Sequence, residues 1–353
     1  MIKSYLRRII LSGVLSSFLL GGCMTMRDQA REEPYQTKLG KNISLIADRF
    51  SNFSAANFYV DTMGFFERED ANSLEDICIV FHGWGVNAKE YRDNLNPDFF
   101  LNVAKEFYDD RTWLVSYSSS EVSSEEICEK TSLMLKAELD KIKDGRNDEE
   151  CPDIHAISQS YGFVPLRNYM QKYPGEIDRA AFCAAPHNGV DYSTSTEFLK
   201  KFLPKFLVRL VKKRGKLSKP EDYSSGLDMI QGSDFLNEFN KPKSTEPLES
   251  EINFYGIAST REGRIVIPGK DDGVVPLKSA IPVELMKENA FGNILYGDIV
   301  AYKTPEGHSS YLYNRYIVED ILNNLKYSPK SITRDPPTWE DVTVKKMPRY
   351  EEK

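Results

Sequence analysis

The sequence predicts an α/β fold in which helices cover a mostly parallel sheet. From residue 74 onward, short apolar runs alternate with longer amphipathic runs, as expected when helices connect successive strands. One apolar run, residues 154–157, ends abruptly on Ser-Gln-Ser-Tyr-Gly, and an amphipathic run follows at once. The chain has 353 residues, of which 41% are hydrophobic, so it is long enough to bury a large core.

The apolar and amphipathic runs define the predicted elements in chain order. The predicted strands are Ile77–Phe81, 112–117, 154–157, 179–184, 252–257 and 299–302. The predicted helices are 88–107, 124–142, 160–172 and 309–325. We place the folded domain at residues 41–327, followed by a charged, proline-bearing tail, 328–353, that is expected to be irregular or wrapped on the surface.

The first residues are typical of an exported protein. A basic start is followed by an apolar stretch, 9–22, that is too short to span a bilayer but suits a secretory signal. Leu20-Gly21-Gly22-Cys23 resembles the lipobox of bacterial lipoproteins, in which the cysteine is lipidated and becomes the N-terminus. We therefore expect a signal peptide at 1–22, a polar tether at 23–40, and a lipid anchor on Cys23 that holds the protein in the bacterial cell envelope, facing the periplasm or the exterior. An ordinary signal or a loosely anchored helix is the alternative.

Charge and cysteine content exclude some functions. The net charge is −7, and removal of the basic signal peptide makes it more negative, which argues against nucleic acid as a partner. No cysteine or histidine spacing resembles a zinc or iron-sulfur site, so we expect no metal and no other cofactor. Cys128 and Cys151 lie in polar surroundings and are candidates for a disulfide, although the sequence does not decide their pairing.

A long insertion interrupts the alternation, at about residues 190–250. Its basic, apolar segment begins at Phe198 and ends at Lys219. Such a segment is expected either to lie on an anionic or lipid surface or to pack as an ordinary surface helix.

Ser160 is the candidate nucleophile. A serine hydroxyl becomes reactive when a sharp turn holds it clear of the backbone and a histidine accepts its proton. Such a turn requires small residues two positions before and after the serine, and Ser158 and Gly162 satisfy this as a variant of GxSxG. The helix that follows directs backbone N–H groups toward the reacting carbonyl, which makes the N–H of Tyr161 a candidate oxyanion donor.

A second oxyanion donor is expected from the turn after the first predicted strand. His82-Gly83-Trp84-Gly85 follows this strand directly, and its glycines allow the backbone to approach a ligand closely. The backbone N–H of Trp84 is therefore predicted to join that of Tyr161, although a plain βα turn is the alternative.

The catalytic base is found by elimination among four histidines. His82 belongs to the oxyanion loop, and His155 lies inside the strand that leads to Ser160. His308 lies in a loop after the last predicted strand, where the carboxyl ends of parallel strands bring reacting groups together. His308 is the predicted base, and His187 is its rival.

The acid that orients the histidine is expected from a loop at the same edge of the sheet. Asp271 and Asp272 lie in a glycine-flanked turn before His308, which gives the chain order serine, acid, histidine. Spacing alone allows either carboxylate.

These motifs resemble those of bacterial lipases and esterases with the α/β-hydrolase fold. The resemblance covers about residues 77–325 and rests on HGWG at 82–85, SQSYG at 158–162, APHNG at 185–189, GSDFLNEFN at 232–240, DDGVVPLKSA at 271–280 and GHSSY at 307–311. Ser158 departs from the family, which usually has glycine there. The resemblance implies the triad Ser160, Asp272 and His308, favours Asp272 over Asp271, and implies that the insertion is a cap or lid over the site.

The expected activity is therefore hydrolysis of carboxylic esters, with lipid or acyl esters as substrates and the membrane as a partner. The same triad also suits a phospholipase or an acyltransferase. A third hypothesis is a non-catalytic envelope protein that uses the hydrolase fold for binding.

Overall fold

The structure is a computed structural model. It describes residues 59–62, 75–84, 94–117, 123–143, 151–190, 225, 228–229, 231–242, 247–259, 274–305, 307–308, 310–327 and 332–348. Several predictions fall elsewhere in the chain and so lie outside the described residues. These are the signal peptide, Cys23, the tether, the basic segment 198–219, and the two candidate acids Asp271 and Asp272.

One sheet runs through the described part of the chain. Its strands are β1 (Tyr59–Thr62), β2 (Ile77–Phe81), β3 (Thr112–Ser116), β4 (Ile154–Gln159), β5 (Arg179–Cys183), β6 (Pro247–Ser259), β7 (Asn293–Thr304) and β8 (Thr343–Lys346). They are arranged in the order β1-β3-β2-β4-β5-β6-β7-β8. β1 runs antiparallel to β3, and the strands from β2 to β8 are parallel to their neighbours, which confirms the mostly parallel sheet.

Helices cover both faces of the sheet. They are α1 (Phe100–Tyr108), α2 (Ser124–Lys143), α3 (Phe163–Lys172), α4 (Asp234–Phe239), α5 (Leu277–Ala280), α6 (Val283–Lys287) and α7 (Arg315–Tyr327). Alternate side chains of a strand point to opposite faces. In β2, Ile77, Ile79 and Phe81 join the core that α2 and α3 cover, whereas Cys78 and Val80 join the core under α1 and α7.

Every strand predicted from the sequence is present, and β6 and β7 extend beyond their predicted bounds. β1, β8 and the short helices α4, α5 and α6 were not predicted from the sequence. β8 lies in the C-terminal tail, where Lys345 forms an ion pair of 2.7 Å with Asp320 of α7. The tail therefore contributes an edge strand, which its charged composition did not indicate.

The predicted helix 88–107 is wrong at residues 94–99, which are not helical, and α1 begins at Phe100. Residues 88–93 of this prediction lie outside the described residues. Asparagine side chains hold the preceding residues in turns. Asn94 Oδ1 accepts from the Asn96 N–H at 3.0 Å, and Asn96 Oδ1 accepts from the Asp98 N–H at 2.9 Å. Pro97 also disfavours helical backbone in the residue before it. Local side-chain hydrogen bonds therefore replace the helical ones.

The disulfide considered for Cys128 and Cys151 is not formed. Cys128 is a buried thiol on α2, and its Sγ lies 3.8 Å from the Val164 carbonyl oxygen of α3. Burial raises the pKa of this thiol, with smaller contributions from nearby carboxylates. Cys128 thus serves as a small core residue between two helices.

Candidate active site

Ser160 lies in the sharp turn between β4 and α3. β4 ends at Gln159, a single 3₁₀ turn covers Ser160–Gly162, and α3 begins at Phe163. Ser160 has φ of 51°, a left-handed conformation that is uncommon for residues other than glycine. Such strain is maintained only where the surrounding structure holds it, and it occurs often at functional sites.

The residues two before and two after Ser160 explain why this turn closes. A Cβ on Gly162 would lie 2.5 Å from the Phe81 carbonyl oxygen, so a larger residue has no room against β2. The side chain of Ser158 is fully buried, and its Oγ lies 3.5 Å from the Ala181 carbonyl oxygen of β5. The glycine is therefore required by contact with the neighbouring strand, and a serine fits where glycine is usual.

His308 meets Ser160 at the carboxyl edge of the sheet. His308 Nε2 lies 2.7 Å from Ser160 Oγ, which is hydrogen-bonding distance. β7 ends at Thr304, so the histidine comes from the loop that follows this strand, as predicted. Ser160 is only 9% exposed. A nearly buried hydroxyl thus directly contacts an imidazole, which is the geometry that proton transfer from a serine requires.

The predicted oxyanion loop packs directly against this turn. A Cβ on Gly83 would overlap the side-chain carboxamide of Gln159, so glycine at this position lets the loop lie against the end of β4. Trp84 follows and is partly exposed, whereas Tyr161 is buried. The two candidate oxyanion residues therefore belong to adjacent segments that follow the neighbouring strands β2 and β4.

His82 supports this loop through contacts with Gly83 and Tyr117. Its Nδ1 donates to the Gly83 carbonyl oxygen at 2.8 Å, and its Nε2 accepts from the Tyr117 N–H at 3.3 Å. The imidazole also stacks on the Tyr117 ring, with ring centroids 4.1 Å apart. Burial lowers the pKa of His82 to about 4, although its hydrogen bond to Gly83 acts in the opposite direction. The ring is therefore neutral at physiological pH.

His155 is enclosed in the core. Its Nδ1 bonds to the Tyr108 hydroxyl at 2.9 Å, and burial followed by the charges of Arg179 and Lys326 lowers its pKa to about 3. Its structural role agrees with the sequence analysis, which placed it inside the strand leading to Ser160.

His187, the rival base, is surrounded by aromatic rings. Its ring lies 4.6 Å from that of Phe163 and 5.1 Å from that of Phe182, centroid to centroid. Neither ring nitrogen has a hydrogen-bond partner among the described residues. Burial, followed by the charge of Arg167, lowers its pKa well below the ordinary value. His308 is therefore the histidine that the structure brings to Ser160.

Comparisons with known proteins give structural likeness without sequence relatives. No family model and no curated protein sequence matches the chain. A mature lipase from Bacillus licheniformis is 13% identical over 76% of this chain and 98% of its own, with a TM-score of 0.45. An esterase from Pyrococcus furiosus is 15% identical over 84% and 97%, with a TM-score of 0.43. A phospholipase from Legionella pneumophila is 19% identical over 58% of this chain and 45% of its own, with a TM-score of 0.40.

The chain has the α/β-hydrolase fold. The strand order, the helices on both faces and the strained serine turn after β4 are the features of that fold. The three solved structures are named as a lipase, an esterase and a phospholipase. At this low identity, their likeness shows the fold alone.

The sequence analysis missed one residue that contacts the site from the insertion. Ser225 is fully buried, and its Oγ accepts a hydrogen bond of 3.2 Å from Trp84 Nε1. No local sequence signal pointed to Ser225, because its contact depends on where the insertion returns to the sheet.

Among the described residues, no cluster of His, Cys, Asp or Glu is arranged to hold a metal ion. Within the same ranges, no helix has the length and hydropathy of a membrane span.

Proposed function

We propose that this hydrolase cleaves carboxylic esters through a covalent acyl-enzyme on Ser160. The main support is the 2.7 Å contact between Ser160 Oγ and His308 Nε2, formed at a serine with φ of 51°. Strained backbone is kept only where the surrounding structure holds it, and a serine held against an imidazole is the arrangement that activates a weak nucleophile.

In the proposed first step, Ser160 Oγ attacks the ester carbonyl while His308 Nε2 accepts the hydroxyl proton. Nε2 must be unprotonated to do so, which places the resting proton on Nδ1. The candidate acid Asp272 accepts a hydrogen bond from this Nδ1–H and stabilises the imidazolium that forms. The backbone N–H groups of Trp84 and Tyr161 bind the oxyanion of the tetrahedral intermediate.

The intermediate then breaks down. His308 donates its proton to the leaving alcohol oxygen, the carbon–oxygen bond to that alcohol breaks, and an ester joins the acyl group to Ser160. Water attacks this ester with His308 again acting as the base, and Ser160 recovers its proton when the carboxylic acid leaves. The cycle uses no group beyond the side chains, the two amides and water.

The proposed substrates are lipid or acyl esters at a membrane surface. This part of the proposal rests on the sequence: the lipobox-like stretch ending at Cys23 and the basic, apolar segment 198–219. Transfer of the acyl group to another acceptor, as in an acyltransferase, or attack on a phospholipid, uses the same triad. Product analysis with defined lipids, with and without alcohol acceptors, distinguishes these activities from simple hydrolysis.

Labelling with a fluorophosphonate tests whether the serine is activated, and thus whether the protein is an enzyme or a non-catalytic binding protein. We expect the wild-type chain to be labelled and Ser160→Ala to be unlabelled. Ser132→Ala is the matched control, because Ser132 is a buried serine of α2 that bonds to Asn168 Nδ2 at 2.9 Å, away from the site. A folded wild-type chain that is not labelled contradicts the proposal and favours the non-catalytic alternative.

A further inference from the structure

The insertion returns to the sheet beside the candidate oxyanion loop. The Val190 N–H donates to the Met229 carbonyl oxygen at 2.9 Å, and the Gln231 N–H donates to the Val190 carbonyl oxygen at 3.1 Å. Gly189 has φ of 80°, and a Cβ there would lie 2.7 Å from Gln231 N, so this pairing has no room for a side chain. These bonds place the returning segment, which includes Ser225, next to the start of the insertion.

Ser225 and Ser124 each bind the side chain of one candidate oxyanion residue. Ser225 Oγ accepts from Trp84 Nε1 at 3.2 Å. The Tyr161 hydroxyl in turn donates to Ser124 Oγ at 3.0 Å. Ser225 therefore binds the indole of Trp84, and Ser124 binds the phenol of Tyr161.

Asp228 ties the same segment to α2. Its Oδ2 accepts from the backbone N–H of Ser124, the first residue of this helix, at 3.0 Å. A carboxylate at a helix N-terminus is favourable, because the first N–H groups there lack partners within the helix. Ser225 is thus held on one side by the base of the insertion and on the other by the start of α2.

We propose that Ser225 is a positioning residue for the oxyanion hole, an inference that rests on the proposed ester hydrolysis. Trp84 and Tyr161 follow different strands, and each is to supply a backbone N–H to the same oxygen atom. Ser225 binds the indole of Trp84. Asp228 of the same segment binds the backbone N–H of Ser124, whose hydroxyl binds Tyr161. Ser225 therefore sets the orientation of Trp84 relative to the turn that carries Tyr161. Small displacements of such groups have large effects on rate, because a catalytic hydrogen bond must be in place as the charge develops.

The alternative is that Ser225 only packs the insertion against the sheet. The two roles predict different kinetics. Loss of packing lowers the amount of folded protein, whereas loss of oxyanion geometry lowers kcat and leaves KM nearly unchanged, because the oxyanion forms only in the transition state.

The test measures hydrolysis of p-nitrophenyl butyrate and tryptophan fluorescence in Ser225→Ala, with Ser225→Thr as the conservative variant and Ser132→Ala as the buried-serine control. We expect Ser225→Ala to lower kcat by about tenfold at nearly constant KM. Threonine keeps the hydroxyl and should restore most of kcat, and Ser132→Ala should stay near the wild type. The emission of Trp84, obtained by subtracting the spectrum of Trp84→Phe, should shift in Ser225→Ala alone.

The outcomes separate this inference from the proposed function. An active wild-type chain whose kcat and Trp84 emission are unchanged in Ser225→Ala overturns the positioning role and leaves ester hydrolysis standing. The role is also overturned if Ser225→Thr loses as much kcat as Ser225→Ala, or if only KM changes. A wild-type chain that neither hydrolyses esters nor reacts with a fluorophosphonate overturns both.

Discussion

Ser160 Oγ and His308 Nε2 are 2.7 Å apart although 148 residues separate them in the chain. Ser160 follows β4 and His308 follows β7, and two strands, β5 and β6, lie between these in the sheet. Parallel strands end at a common edge, so loops after different strands can meet there. The contact is therefore a property of the sheet.

Ser160 and His308 act as one unit in the proposed mechanism, so their substitutions should not be additive. We expect Ser160→Ala and His308→Ala each to lower kcat for p-nitrophenyl butyrate by roughly 10⁴-fold or more. The double variant should lose no more than either single variant, because a base without a nucleophile contributes nothing. If the kcat of the double variant instead falls by the product of the two single losses, the two side chains serve different steps. Circular dichroism confirms that each variant is folded.

The candidate acids are distinguished by separate substitutions. Asp272→Asn should lower kcat by roughly 10⁴-fold, because an amide favours the wrong tautomer of the histidine and does not stabilise its charged form. Asp271→Asn is the neighbouring control and should lose far less. Steady-state kinetics on both variants decide the assignment, and a larger loss in Asp271→Asn reverses it.

Alanine substitutions at Gly162 and Gly175 separate the effect of steric overlap from that of backbone strain. Gly162→Ala should lower the free energy of unfolding by about 2 kcal/mol and remove activity, since a Cβ there would lie 2.5 Å from the Phe81 carbonyl oxygen. Gly175 has φ of 75° with open space around it, so Gly175→Ala should cost about 1 kcal/mol through conformation alone and keep activity. Urea unfolding and ester hydrolysis provide the two measurements. Full activity in Gly162→Ala would contradict the close contact described for the turn.

Acid should destabilise the fold through its buried neutral histidines. The pKa is lowered from 6.5 to about 4 in His82 and to about 3 in His155, and it is lowered well below 6.5 in His187. Below pH 6.5 the unfolded chain therefore binds more protons than the folded chain. Each histidine's contribution to the free energy of unfolding is complete above pH 6.5. It falls by about 1.4 kcal/mol per pH unit as the pH drops from 6.5 toward the pKa of the folded state.

His187→Leu measures one of these contributions. The wild type should lose about 1 kcal/mol more stability than this variant between pH 7.5 and 5.5, by urea unfolding. Comparison of the two chains cancels the opposite effect of carboxyls such as that of the buried Glu251, whose pKa burial raises. Neither ring nitrogen of His187 has a hydrogen-bond partner among the described residues, so a leucine there leaves no other polar group without its partner. Equal pH dependence of stability in the wild type and in His187→Leu would contradict a neutral His187. Loss of ester hydrolysis in folded His187→Leu would favour His187 as the catalytic base.

Patterns of neighbouring residues in the sequence predicted most of the strands and the candidate site residues. The apolar runs located β2 to β7, because buried strands are continuous hydrophobic segments whatever lies around them. Ser160 was found from the small residues beside it, and His308 from its place after the last predicted strand. Side-chain hydrogen bonds within 94–99 override the helical pattern, which is why the start of α1 was placed wrongly.

By itself, the sequence determined the mostly parallel sheet, because buried strands are short continuous apolar runs. It also predicted Ser160 as the candidate nucleophile and His308 as the candidate base. Only the tertiary structure decided that His187 lies in an aromatic core while His308 reaches Ser160, and that Ser225 binds Trp84. It also added β1 and β8 at the two edges of the sheet. These facts depend on which strands become neighbours and where an insertion returns. Side-chain periodicity does not encode contacts between residues so distant in the chain.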